Sequence, residues 1–359
     1  MKFVSALATL VLSVILVQAQ NTPASQLPSR WHAQSTRVIS QEIRFSNADA
    51  HLVGTVYMPQ TGDQLSAVVV LHSAMAATRQ AALYRHLREG LPALGIAVLI
   101  YDRRGSGEST GSMKDISYET LADDGIAGQH ALAKLPRIDP RRIGFWGLSQ
   151  GGWLAVLAAG RSPDAAFAIS VSAPLVTAEQ QMRFAIANRL FINGYSQSDV
   201  RQMLDTRLAW TNYLRGKAPR SEALAALTKA HAQPWFRLTY MDSPSQLTAD
   251  PEHNSYRKEM DDDPEAAVRK VRIPLLFIYG DSDPWIPVEE SVKRLQALRE
   301  SQHNFDYFIA RDADHEMMFP VKETMEVDAA TIRKDAPQSP AYFLILGSWL
   351  TDHAKPCEN

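Results

Sequence analysis

One serine, Ser149, lies in a glycine-rich turn between an apolar run and a helical pattern. Residues 143–146 are apolar, residues 147–151 read GLSQG, and an alanine-rich stretch of helical character follows. A G-x-S-x-G sequence between a strand and a helix forms a sharp turn that exposes the serine hydroxyl. Gly147 and Gly151 remove Cβ atoms that would collide as the strand and the helix close on each other. The motif therefore predicts that Ser149 is a nucleophile.

Ser149 needs two partners, because a serine hydroxyl is a weak nucleophile without a basic histidine and a carboxylate that orients it. With this kind of turn, the acid and then the histidine follow the serine along the chain. Asp281 and Asp283 both follow the apolar run 275–279, and we choose Asp283 because it lies further along the loop and can reach over the sheet. Of the ten histidines, only His315 lies just past a late strand and downstream of the acid. We predict a catalytic triad of Ser149, Asp283 and His315.

The elements that must position these residues alternate between apolar runs and helical patterns. Strands that are buried on both faces read as continuous apolar runs, and their alternation with helices indicates a parallel sheet between helical layers. The predicted strands are 67–71, 96–101, 143–146, 166–171, 275–279 and 305–310, and the predicted helices are 80–94, 118–135, 150–159, 288–299 and 341–350. Two earlier runs, 38–45 and 51–58, indicate an antiparallel edge pair. The predicted fold class is α/β, with a mostly parallel central sheet and helices on both faces.

One long region interrupts the alternation and has no strand-like run. Between residues 175 and 270, apolar residues recur at three- and four-residue spacing, as they do on amphipathic helices. We predict an inserted α-helical cap over 175–270 and a discontinuous core over 38–174 and 271–359. The acidic stretch 260–265 is expected to be a solvated loop. Aromatic residues of the cap could line an apolar pocket, although most should pack the cap itself: Phe184, Phe191, Tyr195, Trp210, Tyr213, Trp235, Phe236 and Tyr240.

The N-terminal residues have the pattern of a secretory signal. Lys2 precedes an apolar stretch over 3–17, and small residues near Ala19 suit cleavage before Gln20. The stretch is shorter than the roughly 20 residues that span a bilayer, so export is favoured over anchoring. We predict a signal peptide at 1–19 and a flexible leader at 20–37. The protein should be exported to the periplasm or the medium, with no stable membrane anchor after signal removal.

Composition and missing motifs exclude several function classes. The 359 residues include 37 Lys plus Arg and 39 Asp plus Glu, a net charge of -2, which offers no general attraction to nucleic acid. The single cysteine, Cys357, can form neither an intramolecular disulfide nor a thiolate metal site. Gly105 and Gly107 resemble a dinucleotide-binding turn, but Thr110 stands where that turn needs its third glycine. The sequence therefore predicts no cofactor and no metal.

Several segments together resemble the α/β-hydrolase superfamily, in particular its lidded serine esterases and its serine aminopeptidase-like members. They are the strand end 70–72, the loop 102–109 (DRRGSGES), the segment 138–152, the loop 280–287 and the pair 314–315. The resemblance spans the mature chain apart from the cap. It is specific for the fold and only weakly specific for the substrate, because this fold supports many reactions.

The resemblance also implies an oxyanion hole, a pair of backbone N–H groups that would stabilise the charge developing on the substrate oxygen. One donor would be Gln150, the residue after the nucleophile, and the other would come from the loop after strand 67–71. We choose Ala74 for this second donor. Ser73 and Met75 stay open as alternatives, because Ser73 replaces a glycine that the family usually has here.

The reaction that the resemblance implies is acyl transfer from an ester, amide or thioester to water, without a cofactor. Ester cleavage requires less of a site than amide cleavage, which also needs a well-placed acid for the departing amine. We therefore expect a carboxylesterase (EC 3.1.1.-) that acts on a small ester with an apolar acyl or aryl group. An aminopeptidase-like amide hydrolase and an acyl-thioesterase are alternatives on the same triad. A non-catalytic binding protein on this scaffold is a distant alternative, since all three triad residues are present.

Overall fold

The computed structural model describes residues 37–114, 116–254, 256–318 and 338–354. The predicted signal peptide, the leader up to residue 36, and Cys357 lie outside the described residues. Within the described part of the chain, no helix combines the length and the apolar character needed to cross a membrane.

The described residues form one eight-stranded sheet in which the order of strands is β1-β2-β4-β3-β5-β6-β7-β8. The strands are β1 (Val38–Asn47), β2 (Ala50–Pro59), β3 (Leu65–Leu71), β4 (Ile96–Tyr101), β5 (Ile138–Leu148), β6 (Ala168–Val171), β7 (Leu275–Gly280) and β8 (Phe305–Ala310). β2 pairs antiparallel with both β1 and β4, whereas the pairs from β4 through β8 are parallel. The predicted edge pair and the predicted mostly parallel sheet are confirmed.

Helices cover both faces of this sheet, which confirms the predicted fold class. They are α1 (Arg85–Gly90), α2 (Tyr118–Leu132), α3 (Gln150–Arg161), α4 (Ala178–Ile192), α5 (Gln197–Leu214), α6 (Arg220–His231), α7 (Pro264–Val268), α8 (Val288–Leu298) and α9 (Pro340–His353). Side chains alternate between the faces of a strand. In β3, Val69 therefore joins a core with α2, α3 and α8, while Val70 joins a second core with α1 and α9.

The predicted helix over 80–94 is broken into three pieces. A 3-10 turn at Ala82–Tyr84 leads into α1, and a second 3-10 turn follows at Leu91–Leu94. Pro92 lacks the N–H that a continuing α-helix would use. Gly95 then ends the segment with a left-handed φ of 78°. A sequence pattern detects the helical period here, but it does not detect these local changes of pitch.

A helical insertion, residues 172–274, leaves the sheet after β6 and returns at β7. The two strands are direct neighbours, with Ala168 opposite Leu275. The insertion has a hydrophobic core of its own, formed by residues between Ile186 and Met260. Helices α4 and α5 each begin with a capping box, at Thr177 and Ser196.

The acidic stretch 260–265 differs from the expected solvated loop at both ends. Met260 is buried in the core of the insertion. Asp263 accepts a hydrogen bond from the Glu265 N–H and caps α7, which begins at Pro264. Asp261 forms an ion pair with Arg215, the residue that follows α5. The three aspartates 261–263 are exposed and lie in a loop, as predicted, while the ends of the stretch belong to the insertion core and to α7. Carboxylates also cap helices and pair with cations, which charge counting does not reveal.

Candidate active site

Ser149 occupies the sharp turn between β5 and α3. Its backbone has φ 58° and ψ -123°, a left-handed conformation that is strained for a residue with a side chain. The turn is close-packed: a Cβ on Gly147 would lie 2.7 Å from the backbone nitrogen of Gly152, and one on Gly151 would lie 2.9 Å from the carbonyl carbon of Leu71. Both glycines are therefore required for β5 and α3 to meet as they do.

His315 and Asp283 lie together on loops that follow β8 and β7. His315 Nδ1 is 2.8 Å from Asp283 Oδ2, in an ion pair whose two side chains are largely buried. The other carboxylate oxygen, Oδ1, accepts hydrogen bonds from the N–H groups of Trp285 and Ile286, over 2.7 and 3.1 Å. These bonds fix the carboxylate in one orientation, so that Oδ2 faces the imidazole.

Gly280 lets the two loops approach each other. The Ser282 N–H donates to the Ala313 carbonyl oxygen over 3.0 Å, which joins the acid loop to the histidine loop. A Cβ on Gly280 would lie within 2.6 Å of the Asp314 carbonyl oxygen. The absence of a side chain at this strand end therefore brings His315 within reach of Asp283.

Asp281, the competing carboxylate, points elsewhere. Its side chain is exposed, and Oδ1 accepts a hydrogen bond from the neighbouring Ser282 hydroxyl over 3.1 Å. Its backbone N–H donates to Ala310 of β8. Of the two candidate acids, Asp283 is the one that contacts His315.

The three predicted triad residues follow the carboxyl ends of β5, β7 and β8. Parallel pairing through β6 connects these ends, with Leu148 opposite Val171, Val171 opposite Ile278, and Gly280 opposite Ala310. The carboxyl ends of parallel strands form the edge at which open α/β sheets bind ligands. Ser149, Asp283 and His315 therefore share this edge of the sheet.

The charge of Asp283 controls the protonation of His315. Burial by itself would lower the pKa of His315, but the negative charge of Asp283 and the hydrogen bond between them raise it to about 9. Two more carboxyls flank the imidazole, and burial raises the pKa of both Asp314 and Glu316. The surroundings thus favour a positively charged imidazolium, which is the state that a histidine base reaches when it accepts a proton.

Among the described residues, the backbone N–H groups of Ala74, Met75 and Gln150 have no acceptor. Gln150 is the first residue of α3, where backbone N–H groups have no partner within the helix. In the loop after β3, the Ser73 N–H donates to the Tyr84 hydroxyl over 3.0 Å. Ser73 is therefore occupied, whereas Ala74 and Met75 both remain available as donors.

His72, which ends β3, has a structural environment. It is buried, and its Nε2 lies 2.5 Å from the Tyr101 carbonyl oxygen at the end of β4. Burial lowers the pKa of His72 to about 4. A neutral His72 thus links the loop after β3 to the loop after β4.

Aromatic side chains lie next to His315. The Trp285 ring centroid is 6.4 Å from that of His315, and Tyr240 of the insertion lies 6.4 Å from Trp285 with 61% of its surface exposed. By contrast, Trp210 and Trp235 are buried in the core of the insertion. Two aromatic rings therefore offer an apolar surface beside the histidine.

Sequence reasoning gave no role to Arg103, whose guanidinium contacts both Ala74 and Gln150. Its Nη1 is 3.5 Å from Gln150 Oε1, and its Nη2 is 3.4 Å from the Ala74 carbonyl oxygen. The signal for it is present in the sequence, since Arg103 follows the strand end Tyr101 by two residues. A basic residue just after a parallel strand lies at the ligand-binding edge of the sheet.

Comparison with known proteins places this site in a family. The model of the alpha/beta hydrolase family matches residues 68–327. Polyketide transferase claH of Penicillium crustosum is 38% identical over 93 residues, which are 26% of this chain and 30% of that protein. Thiohydrolase apmlB of Arthrinium phaeospermum is 34% identical over 90 residues, which are 25% of this chain and 29% of that protein. The matched residues span less than a third of each of these two curated relatives.

A solved structure supports the fold. The Pyrococcus furiosus esterase Pf2001 superposes with a TM-score of 0.51 over 77% of this chain and 84% of that chain, at 18% identity. At this identity the likeness concerns the fold alone. The family match, however, covers most of the chain and includes the serine turn, the acid loop and the histidine loop. The chain therefore belongs to the alpha/beta hydrolase family.

Proposed function

We propose that this protein is a serine hydrolase that cleaves a carboxylic ester through an acyl-serine intermediate. The observation that carries the proposal is the pairing of His315 Nδ1 with Asp283 Oδ2, at the sheet edge where Ser149 occupies its strained turn. A histidine whose Nδ1 donates to a carboxylate presents Nε2 as a base.

The reaction has two halves that use the same groups. Ser149 Oγ attacks the ester carbonyl carbon while His315 Nε2 takes the hydroxyl proton, and Asp283 stabilises the imidazolium that results. The carbonyl oxygen becomes an oxyanion that accepts hydrogen bonds from the Ala74 and Gln150 N–H groups. When the intermediate collapses, the C–O bond to the alcohol breaks and His315 returns its proton to the alcohol. Water then attacks the acyl-serine by the same route, which releases the acid and restores Ser149.

An ester with an apolar acyl or aryl group suits the surface beside His315. Trp285 and Tyr240 supply aromatic area there, and such rings bury apolar groups effectively. The insertion that carries Tyr240 would act as a cap over the bound substrate. Thioesters and amides are the alternative substrates for the same groups. A thioester is the closer alternative, because one relative bears the name thiohydrolase.

The test combines active-site labelling with a substrate panel. The purified protein should react with a fluorophosphonate probe and hydrolyse p-nitrophenyl esters faster than aminoacyl anilides or acyl-CoA thioesters. Ser149→Ala should abolish both labelling and turnover. Ser282→Ala removes an exposed hydroxyl from the acid loop and serves as the matched control, with labelling retained. Labelling of the Ser149→Ala variant would refute the nucleophile assignment, and preferred cleavage of acyl-CoA would replace the esterase by a thioesterase.

We also propose export, on the pattern of residues 1–19. Expression of the full chain in a bacterial host should yield a periplasmic or extracellular protein whose N-terminus, read by mass spectrometry, is Gln20. A cytoplasmic product that retains Met1 would contradict this proposal.

A further inference from the structure

Arg103 places a positive charge beside Ala74 and Gln150, the two residues that would form the oxyanion hole. Its backbone N–H donates to the Ala77 carbonyl oxygen over 2.8 Å, which fixes its position after β4. The guanidinium then spans the space between the loop after β3 and the first turn of α3, through the two long contacts to Ala74 and Gln150. Both contacts are with neutral oxygens, and at 3.4 and 3.5 Å they are weak.

This charge has no counterion in the described part of the chain. No carboxylate oxygen there lies within 4.0 Å of the guanidinium, and its Nε is buried without a hydrogen-bond partner. Two other arginines do have charged partners. Arg79 pairs with Asp102, and Arg104, the next residue in the sequence, pairs with Asp124. These two carboxylates are therefore already paired with other cations.

Leaving such a cation unpaired is costly. Burial lowers the pKa of Arg103, which reports the loss of water around the charge. A partly desolvated guanidinium gains most from an anion that accepts two parallel hydrogen bonds, as a carboxylate does. The weak contacts to Ala74 and Gln150 can be exchanged for such bonds at little loss, since Ala74 is exposed and Gln150 partly exposed, so that water can replace the guanidinium.

We propose that Arg103 binds a carboxylate of the substrate, so that the preferred ester carries a negative charge close to its scissile carbonyl. The inference rests on the proposed function, because it assigns the substrate class of the Ser149 site. The substrate would then combine an apolar part, against Trp285 and Tyr240, with one carboxylate on the opposite side of the oxyanion hole. The carboxylate could belong to the acyl part or to the alcohol part of the ester.

Matched substrate pairs test this inference. The acyl pair is the mono-4-nitrophenyl ester of adipic acid and 4-nitrophenyl hexanoate, and the alcohol pair is 4-(carboxymethyl)phenyl hexanoate and 4-methylphenyl hexanoate. In one of the pairs, kcat/KM should be higher for the acid than for the neutral ester. Arg103→Gln should lower that ratio about tenfold or more, as expected for a hydrogen bond to a charged group. Arg103→Lys should restore part of the ratio, because lysine keeps the positive charge but cannot donate two parallel hydrogen bonds to a carboxylate.

A binding measurement separates this inference from the proposed function. In the Ser149→Ala background, calorimetry should show that monomethyl adipate binds more tightly than methyl hexanoate, and that adding Arg103→Gln removes the difference. Arg272→Gln removes an exposed arginine from the opposite end of β7 and should leave every ratio unchanged. If neutral esters are hydrolysed but Arg103→Gln slows both members of each pair equally, Arg103 only shapes the site and the inference is wrong. If no ester is hydrolysed, the proposed function fails, and the calorimetric difference alone decides the role of Arg103.

Discussion

The side-chain amide of Asn188 donates to the Pro284 carbonyl oxygen over 3.0 Å, so that helix α4 holds the residue directly after Asp283. A second amide of the same helix, Gln181, donates to the Trp285 carbonyl oxygen over 3.0 Å. These two bonds connect the helical insertion to the loop that orients His315. The insertion therefore lies beside the site and also fixes the backbone that follows the proposed catalytic acid.

Removing these two amides should slow the enzyme without unfolding it. A neutral hydrogen bond contributes about 1 kcal/mol, so we expect Asn188→Ala combined with Gln181→Ala to lower kcat/KM about fivefold as the acid loop loosens. Steady-state kinetics on a p-nitrophenyl ester measures the change. Arg201→Ala, an exposed change on α5, is the control and should have no effect. An unchanged rate in the double variant would show that the loop holds its shape without α4.

The two carboxylates of the acid loop should differ sharply in their effect on rate. Asp283→Asn leaves His315 without its charged partner and should reduce kcat about 10⁴-fold. Asp281→Asn changes only an exposed side chain and should leave kcat within about twofold. Circular dichroism would verify that both variants are folded. A larger loss at Asp281 would reverse the assignment of the acid.

The pH dependence of kcat/KM should report the raised pKa of His315. The base must be neutral to accept the serine proton, so activity should rise with pH through the region between 6.5 and about 9. In Asp283→Asn the charge that raises the pKa is gone while the burial remains, so the acid limb should move to lower pH. An acid limb that stays in place in this variant would mean that it belongs to another group.

The titration of His315 should also appear in the pH dependence of the free energy of unfolding. Because the folded-state pKa of His315 lies above its unfolded value, the stabilisation is complete below about pH 6.5 and is lost as the pH rises toward 9. Urea unfolding of the wild type and of Asp283→Asn across this range measures it. The stabilisation by His315 should be absent from Asp283→Asn. If the free energy of unfolding changed with pH in the same way in both proteins, the prediction would be wrong.

The turn at Ser149 should not tolerate a side chain on Gly151. Gly151→Ala places a methyl group against the backbone at the end of β3, and we expect a loss of about 3 kcal/mol in the free energy of unfolding. Gly160→Ala in the same helix α3 is the control, because its Cβ would lie 3.3 Å from Lys270 Cβ and no nearer than 3.8 Å to any backbone atom outside the helix. Removal of a helical glycine offsets that contact, so its stability should change by less than about 1 kcal/mol. Equal losses in urea unfolding would show that the turn is not especially tight.

The buried ion pair of the insertion should be sensitive to the loss of one partner. Glu179 and Arg207 are nearly inaccessible, and Glu179→Gln would leave the guanidinium without its charged partner. We expect a loss of about 3 kcal/mol in the free energy of unfolding. Glu290→Gln removes a partly exposed carboxylate from Arg294 on α8 and should change stability by less than about 0.5 kcal/mol. Differential scanning calorimetry of both variants would show whether burial makes this difference.

The fold was predictable because its signals are local and repeated. The strand predicted over 96–101 matches β4, and the one over 305–310 matches β8, since each is bounded by a change from apolar to turn residues. The predicted helix over 80–94 fails where Pro92 and Gly95 change the backbone. The acidic stretch 260–265 contains the expected exposed loop, but the pairing of Asp261 with Arg215 is a tertiary contact that the sequence does not show. Patterns along the chain indicate the period of an element but not its contacts.

For the site, the order of residues along the chain was informative, but the contacts between side chains could not be predicted from it. Chain order pointed to Ser149 and His315 but left both Asp281 and Asp283 as candidate acids, and the choice of Asp283 depended on its place further along the loop. The ambiguity between Ser73 and Ala74 could not be resolved from sequence, since it depends on the Tyr84 hydroxyl reaching the Ser73 N–H from eleven residues away. Arg103 stands out only after Asp102 and Asp124 are seen to pair with Arg79 and Arg104.

The return of the chain from β6 to the adjacent strand β7 has an evolutionary consequence. Because Ala168 and Leu275 are already hydrogen-bonded neighbours, the sheet closes at this point whatever lies between them. The intervening helices form their own core, so a recombination event at the two ends could exchange the whole segment and leave the turn at Ser149 intact. A replaced segment would keep the sheet and the serine turn, but it would have to supply its own contacts to the loop after Asp283, which Gln181 and Asn188 supply in this protein.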